Sequence, residues 1–133
     1  MKYNINQEKS FEFATELRNT VDSFENKFLA GEVFGNNETL KKFCEYNGRK
    51  GLNSVFLFKT LRTSFKAKPY KKMVEDIEKH FAEPFTPTYV FSNHDRKRSF
   101  SRLDKSIEKA KLLALFQFTV RGIPFTYNGE ELG

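Results

Sequence analysis

Apolar residues recur along this chain with a helical period, then in short unbroken runs, and the two patterns alternate four times. From Ser10 to Phe24 they fall at Phe11, Ala14, Leu17, Val21 and Phe24 with charges between them, which predicts an amphipathic helix. Lys27 to Phe34 is short, apolar and strand-like. Asn36-Asn37-Glu38 offers a helix start, with Leu40, Phe43 and Tyr46 on one face before Asn47-Gly48 stops it. Leu52 to Phe58 is rich in β-formers and reads as a second strand. Pro69 suits the first turn of the next helix, whose stripe is Tyr70, Met73, Ile77 and Phe81. Thr86 to Ser92 reads as a third strand. Ser101-Arg102-Leu103-Asp104 resembles a capping box, opening a helix with Leu103, Ile107, Ala110, Leu113 and Phe116 that Gly122 ends. Ile123 to Tyr127 is a fourth strand, with Pro124 near its start, where a sheet tolerates it.

Four helix-strand units in succession predict an α/β fold. Parallel strands need long crossover connections, and near-continuous apolar strands suit a sheet covered on both faces. An open doubly wound sheet and half of a closed eight-stranded barrel both satisfy this alternation.

The 133 residues, 38% of them hydrophobic, make one domain of ordinary composition. No run reaches the roughly 18 apolar residues of a membrane span, so no membrane partner is expected. The first eight residues hold no apolar signal-peptide core, which points to the cytoplasm if Met1 is the native start. The lone Cys44 excludes an internal disulfide, and two histidines, His80 and His94, are thin material for a metal site; no metal or cofactor is expected. The formal charge of +6 permits a polyanionic partner. However, Lys71, Lys72 and Lys79 interleave with Glu75, Asp76 and Glu78, the signature of a solvated helix surface, and no nucleic-acid partner is expected. With 16 Phe and no Trp, the aromatic content belongs chiefly to the core.

In both candidate architectures ligands gather beyond the carboxyl ends of the strands. The first strand ends at Gly31-Glu32-Val33, the third runs into Asn93-His94-Asp95-Arg96-Lys97-Arg98, and the fourth into Asn128-Gly129-Glu130-Glu131. A carboxylate inside an apolar run is desolvated and would have its pKa raised, as suits a general acid, so Glu32 is the leading candidate. The plainer alternatives are a salt-bridged strand Glu and a turn in which Asn, His and Asp bond the backbone.

Taken in order, Phe28-Leu29-Ala30-Gly31-Glu32-Val33, Val90-Phe91-Ser92-Asn93-His94-Asp95 and Gly122 to Gly133 resemble the second half of the α-amylase family of glycoside hydrolases, α-glucosidase-like members included. Gly51 to Phe56 is similar to that family's sixth strand, and Arg98 to Arg102 to the stretch just past its Asn-His-Asp motif. The resemblance implies that residues 1–133 are a partial catalytic domain, strands five to eight of a (β/α)8 TIM barrel. It implies Glu32 as general acid/base and Asp95 as the carboxylate that stabilises the transition state. His94 would bind sugar beside the scissile bond, and Asn93 and Arg98 would support the loop or the substrate. The implied substrate is an α-linked oligosaccharide or α-glucan.

One element of the family pattern is missing. The nucleophilic Asp should sit upstream in a Gly-Phe-Arg-x-Asp-like motif, yet residues 1–31 hold only Asp22, on a predicted helix and with Thr20 where the motif wants Arg. The expectation is therefore a fragment or half barrel, inactive alone, that self-associates or is complemented by the missing half. An α-glucanotransferase fragment, or a non-catalytic or nucleic-acid-binding basic α/β module, is the alternative.

Overall fold

A computed structural model describes residues 4–132. Its elements are helix α1 (Glu8–Asp22), strand β1 (Ala30–Gly31), helix α2 (Asn37–Cys44), strands β2 (Glu45–Tyr46), β3 (Arg49–Lys50) and β4 (Ser54–Val55), helix α3 (Ala67–His80), strand β5 (Thr88–Val90), helices α4 (Ser99–Arg102) and α5 (Ile107–Thr119), and strand β6 (Ile123–Phe125). Single 3-10 turns occupy Thr60–Arg62 and Glu130–Leu132. Contacts group these into two compact units, residues 4–56 with 76–87, and residues 57–75 with 88–132.

In the first unit β1 and β4 run parallel, Ala30 opposite Ser54 and Gly31 opposite Val55. The ladder continues past the strands: the Ser54 N–H donates to the Leu29 carbonyl at 3.1 Å and the Phe56 N–H to the Gly31 carbonyl at 2.9 Å. The Asn53 side chain accepts from the Leu29 N–H at 2.8 Å, so a side-chain oxygen takes the place of a ladder carbonyl. The expected strands at 27–34 and 52–58 are therefore real in position and direction but much shorter as paired elements. Phe11, Phe43, Leu52, Val55, Ile77 and Phe81 are buried here, with the Phe11 and Phe43 rings edge-on at 4.8 Å.

The helix expected from Asn36 to Tyr46 starts as read: the Asn36 side chain accepts from the Thr39 N–H at 2.8 Å. It ends two residues sooner. Tyr46 lies in β2, which pairs antiparallel with β3, and Asn47 and Gly48 form the turn between them with φ of 51° and 71°. Two successive positive φ values match the twist of a two-residue hairpin, and Asn-Gly is the pair that best tolerates them.

In the second unit β5 and β6 run parallel, with Thr88, Tyr89 and Val90 opposite Ile123, Pro124 and Phe125. Pro124 brings no N–H to this ladder. The buried Gln117 of α5 supplies donors instead, its amide nitrogen bonding the Tyr89 and Phe125 carbonyls at 3.1 and 3.0 Å. Tyr70, Phe91 and Phe116 pack with ring centroids 5.0–6.2 Å apart.

The capping box expected at Ser101–Asp104 is not formed. Ser101 belongs to the short α4, and Asp104 and Lys105 take φ of 59° and 55°, which breaks the helical path. Helix α5 starts one turn later, capped by Ser106, whose Oγ accepts from the Lys109 N–H. Pro69 does lie in the first turn of α3. No helix of the described residues is long and apolar enough to cross a membrane.

A Cβ built on Gly51 would lie 2.1 Å from the Phe43 carbonyl oxygen, which already accepts from the Leu52 N–H at 2.8 Å. Gly51→Ala should therefore lower stability by about 1–3 kcal/mol, the usual cost of overpacking. Urea denaturation followed by circular dichroism checks this; a midpoint equal to that of the parent would contradict the close approach.

Candidate active site

The site residues expected from the sequence lie on the loops just beyond the carboxyl ends of parallel strands. Glu32 directly follows β1 in the first unit, and Asn93-His94-Asp95 begins three residues past the end of β5 in the second. The expectation that Glu32 is desolvated inside an apolar strand is not met. Strand β1 ends at Gly31 and Glu32 is exposed, so the carboxylate keeps its water within this chain.

His94 and Asp95 occupy a turn, with Nε2 and Oδ1 3.4 Å apart and both side chains largely exposed. Asn93 is half-buried, and its Oδ1 is shielded from solvent without a hydrogen-bond partner among the described residues. Arg98 is turned toward the protein. Its Nη1 donates to the Asn128 carbonyl at 2.7 Å and its guanidinium lies 5.2 Å from the centre of the Tyr127 ring. Gly129, at φ +77°, leaves the room for it, since a Cβ there would stand 3.3 Å from Nη1.

Side chains that sequence reasoning did not single out organise these loops. Glu130 Oε1 accepts from the Ser92 and Ser99 hydroxyls at 2.7 and 2.6 Å, and Oε2 accepts from the Tyr127 N–H at 3.1 Å. The Ser92 Oγ accepts in turn from the Ser99 N–H at 2.8 Å. Arg102 fans its guanidinium over three carbonyls, Nε to Lys97 at 3.0 Å, Nη1 to Leu61 at 2.9 Å and Nη2 to Phe91. Burial pulls the Arg102 guanidinium below its ordinary value, while Tyr70 and Glu130 nearby favour its charge and Arg96 opposes it. Glu130 stood in the sequence only as one of several carboxylates near a strand end; its partners are 31 and 38 residues away and ordinary serines.

Cys44 is buried in the first unit, and burial raises its thiol to about 12. So little thiolate exists near neutral pH that it is a packing residue and no nucleophile. Tyr70 is likewise pushed up to about 12, by burial first, with Arg102 pulling weakly the other way.

Parallel strands flanked by helices, with acidic and histidine side chains past their carboxyl ends, define an α/β enzyme domain of the kind that builds (β/α) barrels. The chain belongs to the α-amylase family: the model of the α-amylase catalytic domain matches residues 1–133. Alpha-amylase 2 of Dictyoglomus thermophilum is 32% identical over 121 residues, 86% of this chain and 21% of that protein. The oligo-1,6-glucosidase of Parageobacillus thermoglucosidasius is 28% identical over 149 residues, 99% of this chain and 26% of that protein. The crystal structure of an α-amylase from H. orenii superposes with a TM-score of 0.76 at 25% identity, over 92% of this chain and 27% of that one. The chain thus spans about a quarter of the length of the relatives it matches, and it is an enzyme chain by family.

The raised Cys44 and Tyr70 values set a direction for stability at high pH. Above about pH 9 the unfolded chain gives up the Cys44 proton while the folded chain keeps it to about 12, so the unfolded state binds fewer protons and stability falls as pH rises. The thermal midpoint should drop between about pH 9 and 11, with a shallower drop in Cys44→Ala; equal slopes in parent and variant would contradict the burial of the thiol.

Proposed function

We propose that this chain carries the acid/base half of an α-glucosidase or α-amylase site, and that its residues 1–133 form strands five to eight of the family barrel. The observation that carries the reading is the placement of Glu32 and of Asn93-His94-Asp95 beyond the carboxyl ends of parallel strands, in a chain of this family. In this reading Glu32 protonates the leaving glycosidic oxygen and later activates water. Asp95 and His94 hold sugar hydroxyls through bonds that tighten as the oxocarbenium-like transition state forms. The substrate is an α-linked oligosaccharide, in keeping with relatives named for α-amylase and oligo-1,6-glucosidase activity. Arg98, bound to the Asn128 carbonyl, supports the loop and leaves substrate contact to its neighbours.

Exposure of Glu32 is compatible with a general acid only if something outside these residues covers it. A retaining mechanism also asks for a nucleophilic carboxylate about 5–5.5 Å from the acid. Both needs point to the first half of the barrel, in the same polypeptide or another. The apolar surface of α5 supports this. Leu112, Leu115 and Phe118 are 56–63% exposed, and a groove of about 470 Å³ runs past Phe100, Ile107, Phe118 and Leu132. Exposed apolar side chains gathered in this way on one helix mark a surface that further protein covers.

The 133-residue chain alone should therefore not turn over 4-nitrophenyl α-glucoside. Joined to the first barrel half of Dictyoglomus α-amylase 2, it should cleave maltooligosaccharides, with Glu32→Gln lowering kcat by about 10²–10⁴ and Asp95→Asn by a comparable amount. Glu32-dependent turnover by the chain alone would refute the missing nucleophile, and full activity in Glu32→Gln would refute the acid/base assignment.

A further inference from the structure

We propose that Glu130 is a positioning residue that holds the Asn93-His94-Asp95 turn in its working geometry by tying together both ends of that loop; this rests on the reading that the turn binds sugar. Residues 91–98 join β5 to α4 with no strand or helix of their own, and 94–98 are exposed. A loop of that kind is fixed by the side chains that tie it down, Arg102 at the Lys97 carbonyl and a further group at its ends. Here Ser92 stands at one end and Ser99 at the other, and one carboxylate oxygen of Glu130 accepts from both hydroxyls at 2.7 and 2.6 Å. The Ser99 N–H donates to the Ser92 Oγ at 2.8 Å and closes the ring. The second oxygen accepts from the Tyr127 N–H at 3.1 Å, so the carboxylate is itself oriented by the loop after β6. Arg98 adds a second tie between the same two loops through the Asn128 carbonyl.

The chemistry of the ring selects a carboxylate. All three partners, two hydroxyls and one amide, donate to Glu130, and an ionised carboxylate is acceptor-only on both oxygens. Bonds of this charge-assisted kind are about twice as strong as neutral ones. A glutamine keeps one acceptor and loses the charge: its NH2 meets either the Tyr127 N–H, a donor against a donor, or the two serine hydroxyls, which must then turn round and accept, so the charge-assisted tie is lost either way. With both oxygens engaged inside the protein, Glu130 acts on the sugar only through the turn it holds. The leverage is large, because a displacement of about 1 Å at a catalytic group can cost on the order of 10²-fold in rate.

Amide hydrogen exchange of the ¹⁵N-labelled 133-residue chain tests the tie directly. In Glu130→Gln the Tyr127 and Ser99 amides should exchange about tenfold to a hundredfold faster, the range expected for losing a hydrogen bond to a charged group, while the Val90 and Phe125 amides change far less. Ser99→Ala, which leaves the carboxylate in place, should speed exchange of the loop amides less strongly and serves if Glu130→Gln does not fold. In the complemented barrel, assayed well below its melting midpoint, Glu130→Gln should lower kcat about tenfold to a hundredfold with KM nearly constant. It should cost little more when Asp95→Asn is already present, because Glu130 works through that turn. Unchanged Tyr127 and Ser99 exchange, or the same loss of kcat with and without Asp95→Asn, would overturn the inference. Should Glu32→Gln and Asp95→Asn both retain full turnover, the sugar-cleaving reading falls on its own, and the exchange rates still decide whether Glu130 holds the turn.

Discussion

Two strands that run the same way cannot be joined by a tight turn, and the crossover between them must climb back over the sheet. That constraint governs this chain. Because β1 runs parallel to β4 and β5 parallel to β6, each pair sends loops out from its own carboxyl edge, and past the last ladder bond these are available for chemistry. The helices within those two crossovers are placed by the same requirement, and their buried side chains reflect it: Leu40 and Phe43 on α2, Leu113 and Gln117 on α5. Where the ladder lacks a partner, side chains complete it, Asn53 for the Leu29 N–H and Gln117 for the carbonyls of Tyr89 and Phe125.

The loops at that edge are held by polar side chains rather than by backbone pairing. Thr60 donates to the Val90 carbonyl, Arg102 to three carbonyls, and Glu130 gathers two serine hydroxyls and an amide. Arg102 is partly buried, and a guanidinium taken from water must find acceptors; three carbonyls meet that need. Loops tied in this way can present exposed, water-wet groups such as His94 and Asp95 without giving up their geometry.

Much of this was legible in the sequence because the signals are local. A 3.6-residue stripe, an Asn before a helix, or an Asn-Gly pair is decided within a few residues, and helix α1 and the Asn36 cap arise from such signals. The expected parallel sheet of four strands is present among the described residues only as two separate parallel pairs, β1 with β4 and β5 with β6. The errors came where two local readings competed. Asn-Gly stops helices and also turns hairpins, and the second role won at residues 45–50, carrying Tyr46 out of α2. Ser101 to Asp104 has the spacing of a capping box, but left-handed residues 104 and 105 gave the cap to Ser106. Glu32 read as buried because its neighbours are apolar, whereas burial depends on what packs against a segment and not on its composition. The Ser92–Ser99–Glu130 ring was not legible, since nothing local marks three common polar residues 31 and 38 positions apart as partners.

The reading of Asn93-His94-Asp95 as a sugar-binding turn is tested most directly by a crystal structure of the complemented barrel, in the inactive Glu32→Gln form, soaked with a maltooligosaccharide. A glucose ring with its hydroxyls on Asp95 and His94 is the expected result. A bound sugar that leaves both Asp95 and His94 in water would contradict it.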